Sequence, residues 1–369
     1  MRWIFLSLLT WAGGVVAADY ALQPALPVTD PARTQLLDIT AAGERLLALG
    51  ERGVIVYSDD GGQHWEQARV PVSETLTALS FPTEDHGWAV GHGGVILHSG
   101  DGGLTWQQQF DGNDANRQRL EYVTDRYMML EQALEAAEAE PDEELLYALE
   151  EAQFAVEDAE LALETGPADP FLDVWFADAQ HGWAVGAYGM IYRTGNGGLQ
   201  WRIAADSIEN LEGYHYYAMD AADGGTLYLS GEAGLLYRSD NGGERWQRLG
   251  LDYDGSLFGV IALDAERVVT FGLRGNIFFS ADRGETWEDV TAEDGRGLSY
   301  YGGRRIRNGH LVLVGAGGVM ATSPDGREYQ LEVHSGRQTF SSVLSEGSDL
   351  LLAGMGGVVR IPKAQGRGR

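Results

Sequence analysis

The sequence has no cysteine and only one lysine, Lys363, among its 369 residues. Without cysteine the chain gains no disulfide in an oxidising compartment, and we expect no lipid-anchored start. The 26 Lys and Arg residues stand against 55 Asp and Glu residues, so the formal net charge at pH 7 is -29. A surface of this charge repels phosphate groups, so we expect no binding to nucleic acid and no direct binding to anionic membranes.

The apolar run from Trp3 to Val16 is too short for a comfortable membrane span. It follows a basic residue and precedes "VVAAD", whose small residues suit cleavage after Ala17 or Ala18. The segment therefore predicts a Sec-type signal peptide over residues 1–18 and a periplasmic mature protein. An uncleaved anchor is the alternative.

A short motif recurs along the chain, as in "SGDGGLTW", which ends at Trp106. This is the Asp-box pattern, which occurs in sialidases and in many β-propellers without catalytic activity. Before each copy lie an apolar strand, a Gly-x-x-Gly turn and a second apolar strand. The intact copies end at Trp65, Trp106, Trp201, Trp246 and Trp287, and a shortened copy ends at Tyr329. The turns begin at Gly50, Gly91, Gly186, Gly231, Gly272, Gly315 and Gly354.

The spacing of these turns is close to 42 residues, except for one gap of 95. Strands and glycine turns at this period are typical of propeller blades. The sequence predicts an all-β fold, a seven-bladed β-propeller with an inserted antiparallel α-helical hairpin. Blades 1–2 fall within residues 19–111, the hairpin within 112–166 and blades 3–7 within 167–364, followed by a tail over 365–369. The last blade lacks an Asp box and an outer strand, so we expect residues 19–28 to supply a closing strand.

The Asp-box residues suit a hairpin turn, because Asp or Asn accepts backbone N–H bonds and glycine tolerates positive φ. The Trp offers a large apolar surface to the blade. We therefore interpret the motif as structural. We expect no metal, because "SDDGG" lacks the twelve-residue calcium loop with its closing Glu, and no cofactor.

The insert carries sixteen acidic residues against three arginines. Its apolar positions step by three and four in two runs, with Pro141 and Asp142 at the start of the second run. The predicted seam residues are Leu120, Val123, Tyr127, Leu130, Leu134, Ala137, Leu145, Leu149, Ala152, Val156, Ala159 and Leu163. Each helix of about 23 residues would extend about 35 Å. The charge suits a solvated helix pair, but an arm of this length also suggests docking to a partner.

The hairpin joins an outer strand to the next inner strand, so it lies on the face of the propeller that carries the Gly-x-x-Gly turns. Tyr, His and Arg clustering on one face is typical of a recognition surface. The predicted partner-binding residues are Arg52, His92, Tyr188, His215, Tyr216, Arg274, Arg296 and Arg337. We predict no catalytic residue.

With seven blades, "GWAVGxxGxIxxSxDGGxxW" units and an export signal, the chain resembles the photosystem II stability/assembly factor family. The resemblance implies a non-catalytic propeller that binds an assembling membrane subunit, through an arginine-bearing surface to which Arg304 and Arg305 are further candidates. Relatives in non-photosynthetic proteobacteria are often encoded beside resistance-nodulation-division exporters, which implies a membrane protein complex or a transporter subunit as the partner. The acidic insert departs from the photosynthetic members.

Two alternatives are a sialidase-like glycoside hydrolase and a carbohydrate-binding propeller on the same scaffold. "VVRIP" (Val358–Pro362) echoes the Arg-Ile-Pro element of sialidases. Sialidases, however, are six-bladed and carry this element before their first Asp box. We therefore interpret Arg360 as part of an edge strand.

Overall fold

The computed structural model describes residues 23–137, 142–167, 169–292 and 297–362. These residues form seven antiparallel sheets and a pair of packed helices. Each sheet follows chain order, from an inner strand to an outer strand. The predicted seven-bladed propeller is therefore confirmed, while the predicted signal peptide and tail lie outside the described residues.

The first six blades have four strands each and the seventh has three. Blade 1 comprises β1 (Leu36–Ala42), β2 (Arg45–Gly50), β3 (Ile55–Ser58) and β4 (Glu66–Gln67); blade 2 comprises β5 (Leu76–Ser80), β6 (Gly87–Gly91), β7 (Ile96–Ser99) and β8 (Gln107–Phe110). The two helices, α1 (Gly112–Glu135) and α2 (Glu143–Thr165), follow. Blade 3 comprises β9 (Phe171–Phe176), β10 (Gly182–Gly186), β11 (Ile191–Thr194) and β12 (Arg202–Ile203); blade 4 comprises β13 (Tyr216–Ala221), β14 (Leu227–Gly231), β15 (Leu236–Ser239) and β16 (Gln247–Arg248). Blade 5 comprises β17 (Leu257–Ala262), β18 (Val268–Gly272), β19 (Ile277–Ser280) and β20 (Glu288–Asp289); blade 6 comprises β21 (Tyr300–Arg305), β22 (Leu311–Gly315), β23 (Val319–Ser323) and β24 (Gln330–Val333); blade 7 comprises β25 (Phe340–Glu346), β26 (Asp349–Gly354) and β27 (Gly357–Ile361).

The core lies between neighbouring blades. Second strands such as β6 are buried along their whole length, because their two faces pack against the blades on either side. This explains the uninterrupted "GWAVG". The first glycine of each turn allows close packing: a Cβ at Gly91 would lie 2.2 Å from the carbonyl oxygen of Thr75.

The Asp-box turns close the hairpins between third and outer strands. In "SGDGGLTW" the Ser99 hydroxyl accepts the Gly103 N–H at 2.8 Å, and Asp101 Oδ1 accepts the Thr105 N–H at 2.9 Å. Trp106 is 4% exposed between blades 1 and 2. The hydrogen bonds and packing of these side chains therefore stabilise the turn.

The first and last blades meet through their inner strands, β1 and β25. Ser341 Oγ donates to the Leu36 carbonyl at 3.0 Å, and Ser342 Oγ donates to Asp38 Oδ1 at 2.7 Å. Arg360, the arginine of "VVRIP", bonds to Asp349 and to the Gly61 carbonyl of blade 1. It therefore joins the ring ends.

The predicted closing strand is wrong for the part of residues 19–28 that the structure describes. Instead of pairing with β27, Ala25 donates its N–H to the Val70 carbonyl at 3.1 Å. The Gln67 side chain bonds to the Leu26 carbonyl and the Val28 N–H at 3.1 and 3.0 Å. Blade 1 therefore holds this segment, and no fourth strand of blade 7 is seen among residues 23–362 as described.

Replacing Asp38 by alanine is expected to destabilise the protein by about 3 kcal/mol, since its carboxylate joins three blades. It accepts the Ile39 N–H at 2.8 Å, the Leu79 N–H of blade 2 at 2.9 Å and the Ser342 hydroxyl of blade 7. Urea unfolding measures the loss. Ser342→Ala, which removes one of these bonds, should cost about 1 kcal/mol. Equal stability of the Asp38→Ala variant and the parent would contradict this role.

Candidate functional site

One face of the propeller carries the Gly-x-x-Gly turns, the connections between blades and the helical pair; we call it the turn face. Its geometry follows from strand register: Gly50, which ends β2, pairs with Leu36, which begins β1. The Asp-box turns lie at the other ends of the strands. The predicted separation of the two kinds of turn is therefore confirmed.

Most of the sequence-predicted residues are exposed on this face: Arg52, His92, Tyr188, Arg274 and Arg337. Arg52, Tyr188 and Arg274 occupy one position of their turns, with φ of 59°, 52° and 59°. Ala233 has the same left-handed conformation at φ 52°. The turn of the blade therefore requires this backbone strain, whichever side chain stands there. Arg296 lies outside the described residues.

Three arginines of the turn face have no ion-pair partner among the described residues. Within the described residues, no carboxylate lies within 4 Å of the guanidinium groups of Arg52, Arg274 and Arg337. They are therefore available to an acidic group of a partner. Arg304 and Arg305 do not join them, because they end β21 at the opposite face, where Arg305 Nη1 donates to the Leu263 carbonyl at 2.6 Å.

Tyr188, His215 and Glu232 form a cluster across blades 3 and 4. The His215 Nδ1 accepts the Tyr188 N–H at 3.0 Å, and the two rings meet edge to face at 4.7 Å. Glu232 Oε2 accepts the His215 N–H at 3.2 Å. His215 is thus held by its neighbours, while Tyr188 is 64% exposed.

The prediction for Tyr216 is wrong, because its side chain is fully buried between blades. Burial also raises the pKa of its hydroxyl. Alternate residues of a strand face opposite ways, so the next residue, Tyr217, faces the central channel instead. Two adjacent tyrosines thus begin β13, and only the second faces the channel.

Tyr217 belongs to a row of rings around the channel mouth that the sequence alone does not reveal. Its ring lies 5.2 Å from Phe258, and Phe258 lies 5.5 Å from Tyr301. His215 continues the row, 6.2 Å from Tyr217. We call Tyr188, His215, Tyr217, Phe258 and Tyr301 the aromatic arc; it spans blades 3 to 6.

The residues of this arc that line the mouth share one position, the second residue of an inner strand. The other blades place Leu37, Thr77, Leu172 and Ser341 there. All seven line the central channel, whose volume is about 710 Å³. One side of the mouth is therefore aromatic, and the other is lined by aliphatic and small polar side chains.

Deeper in the channel lie carboxylates that join neighbouring blades by accepting backbone hydrogen bonds. Asp173 accepts the Val174 and Met219 N–H groups at 2.8 and 2.7 Å. Burial, reinforced by the charges of Asp38 and Asp220, raises the pKa of Asp173 to about 7.

Asp220 repeats this arrangement in the next blade, accepting the Ala221 and Ala262 N–H groups at 2.9 Å each. Burial raises its pKa to about 6, and the charge of Arg304 opposes that shift. As with Asp173, both carboxylate oxygens accept bonds from the backbone.

The helical pair, here called the arm, matches the predicted hairpin. Asp111 caps α1 by accepting the Asn113 and Asp114 N–H groups, and Asp142 caps α2 by accepting the Leu145 N–H. Of the predicted seam, Val123, Ala152 and Ala159 are buried, whereas Leu163 is 39% exposed. Among the described residues, no helix is long and apolar enough to cross a membrane.

The base of the arm is fixed to blade 3. Gln118 donates to the Trp201 carbonyl at 2.8 Å and accepts the Ile203 N–H at 3.0 Å. The Tyr122 hydroxyl donates to Asp206 Oδ1 at 2.7 Å, and burial with this bond raises its pKa to about 12. These bonds hold the first half of α1 against the outer strand of blade 3.

Comparison with known proteins gives one family. The family model described as "Photosynthesis system II assembly factor YCF48" matches residues 26–113 and 152–350. The break between the two matched segments falls within the arm. A search of curated proteins found no match.

Several solved structures share the fold. A structure titled "YCF48 bound to D1 peptide" aligns with a TM-score of 0.61 at 17% identity, covering 92% of this chain and 99% of that one. YCF48 from Cyanidioschyzon merolae aligns at 0.59 and 16%, covering 92% and 98%. The GH74 enzyme of Niastella koreensis aligns at 0.60 and 12%, covering 91% of this chain and 53% of that one.

Proposed function

The chain belongs to the family of photosynthesis system II assembly factor YCF48, and from this premise we propose that it is a non-catalytic, exported β-propeller that binds a membrane protein complex. The partner would present a segment on the side of the membrane where the propeller resides. A YCF48 structure carries a D1 peptide, so a propeller of this family binds a segment of another protein. For this chain, an assembling photosystem subunit and a subunit of a resistance-nodulation-division exporter are the two partner classes.

The observation that carries this proposal is the aromatic arc. Tyr188 and Tyr301 are 64% and 41% exposed on the turn face. Tyrosine and phenylalanine supply large contact areas with few rotatable bonds, so they act as anchors at protein interfaces. Arg274 and Arg337 on the same face suit an acidic side chain or a terminal carboxylate of the bound segment.

The channel carboxylates support a binding role over catalysis. A glycosidase needs an acid and a nucleophile or base that can reach a sugar. In Asp38, Asp173 and Asp220 both oxygens accept bonds from the protein itself. These residues serve to hold neighbouring blades together.

Site-specific photocrosslinking in the native host tests the proposal. Benzoylphenylalanine in place of Tyr301 is expected to give an adduct with an integral membrane protein. The same probe in place of Leu199, which is 82% exposed in an Asp-box turn on the opposite face, should not give that adduct. Equal yields from both positions, or adducts with soluble proteins only, would contradict the proposal. Glycan binding that is lost in Phe258→Ala would favour the carbohydrate-binding alternative instead.

A further inference from the structure

The outer side of α2 carries apolar side chains that the arm does not bury. Tyr147, Phe154 and Leu161 are 65%, 54% and 56% exposed. They are spaced by seven residues, so they lie along one line of the helix, about 10 Å apart. We call these three residues the outer stripe.

The outer stripe lies opposite the seam between the helices. Ala152 and Ala159 are buried in that seam, at 6% and 0% exposure. Each precedes a stripe residue by two positions, which is about 200° around a helix. The stripe is therefore a second apolar face, separate from the one that holds the hairpin together.

Acidic residues border this second face. Three and four positions after Tyr147 stand Glu150 and Glu151, and the same offsets from Phe154 give Glu157 and Asp158. Side chains at these spacings lie on either side of the preceding one. The sequence of α2 contains no Lys or Arg that would neutralise them.

An apolar line bordered by one sign of charge is complementary to an amphipathic helix with the opposite charge. We infer that the outer stripe docks one amphipathic helix of a partner, with an apolar seam and Lys or Arg at its flanks. This inference rests on the proposed function and deepens it, because it specifies that the partner carries a basic amphipathic helix. A second copy of this chain would bring acidic borders together, and anionic headgroups would be repelled for the same reason.

A synthetic peptide provides the probe. It has three heptads with Leu in the seam and Lys at the flanks, and a scrambled peptide of the same composition lacks the apolar line. Fluorescence anisotropy with the purified full chain is expected to show binding of the first peptide only. Raising NaCl from about 50 to about 500 mM should weaken this binding, because the border charges are exposed.

Two variants locate the site. The triple variant Tyr147→Gln, Phe154→Gln and Leu161→Gln should weaken peptide binding at least tenfold, which is about 1.4 kcal/mol. Because these side chains face solvent, the circular dichroism spectrum and Tm should stay unchanged. The matched control, Met128→Gln with Met129→Gln, changes side chains of α1 that are 43% and 71% exposed and should bind as the parent does.

A separate variant tests the acidic residues that border the outer stripe. Neutralising Glu150, Glu151, Glu157 and Asp158 to their amides should remove most of the salt dependence. Unchanged salt dependence would contradict the charge complementarity on which the inference rests.

Three further results would overturn the inference. Equal binding of the scrambled peptide would show that charge alone acts. A parent dimer in sedimentation experiments that the triple variant abolishes would assign the stripe to a second copy, and vesicle binding abolished by that variant would assign it to a membrane. The Tyr301 crosslink tests the channel mouth separately. Its adduct can form even if the outer stripe binds no peptide, and the outer stripe can bind the peptide even if no adduct forms.

Discussion

Raising the pH from 5 to 8 is expected to lower the free energy of unfolding, with Asp173 contributing a loss of about 3 kcal/mol over this range. Its pKa is about 7 in the folded protein against 3.8 for an unperturbed Asp. Between these values the folded state holds a proton that the unfolded state has released. Stability therefore falls as pH rises through this range, and the full loss is reached above pH 7.

Asp220, with a pKa of about 6, acts in the same direction. His98 acts in the opposite one, because burial and the nearby His86 lower its pKa, and its neutral form is favoured. Urea unfolding of the parent and of Asp173→Asn at pH 5, 6, 7 and 8 isolates the first group. The stability difference between the two chains should change with pH. A constant difference would contradict a raised pKa at Asp173.

Replacing Trp88 by alanine is expected to cost about 4 kcal/mol, the second large effect. The side chain is fully buried and stacks on Phe176 of blade 3, with ring centres 3.6 Å apart. Its indole N–H donates to Gln109 Oε1 at 3.0 Å, and Gln109 in turn donates to the Gly197 carbonyl. The substitution opens a cavity between two blades and leaves Gln109 without this donor.

Chemical unfolding measures this loss, with Leu199→Ala as the control, since that side chain is 82% exposed. The control should stay within about 0.5 kcal/mol of the parent. Trp88→Phe should fall between the two, because it keeps part of the stacking. A loss below about 1 kcal/mol for Trp88→Ala would show that neighbouring side chains fill the space.

The sequence reveals the local features of this fold. Each blade repeats its strands and turns within about 42 residues, so the turns, the Asp boxes and the blade count can be identified without a structure. The arm can be identified too, because its apolar steps of three and four distinguish it from the strands. These features depend on residues close together in the chain.

The channel mouth cannot be identified this way, because it depends on how seven inner strands meet. Each of the seven inner strands has an irregular register beside its first pairs, as between Tyr216 and Ala218 in β13 and between Leu76 and Ala78 in β5. The face on which Tyr216 and Tyr217 lie follows from this register and from ring closure. The sequence therefore does not identify the neighbouring rings of Tyr217, Phe258 and Tyr301, and the prediction of Tyr216 is wrong.

The junction of β1 and β25 also bears on how the chain folds. The bond between Ser342 and Asp38 joins residues 304 positions apart. Joining chain ends at such a distance costs entropy that only the finished set of contacts offsets. An incomplete chain can build individual blades but leaves an inner strand of its first blade without a neighbour. Synthesis of β25, the last inner strand, is thus the step that allows the ring to close.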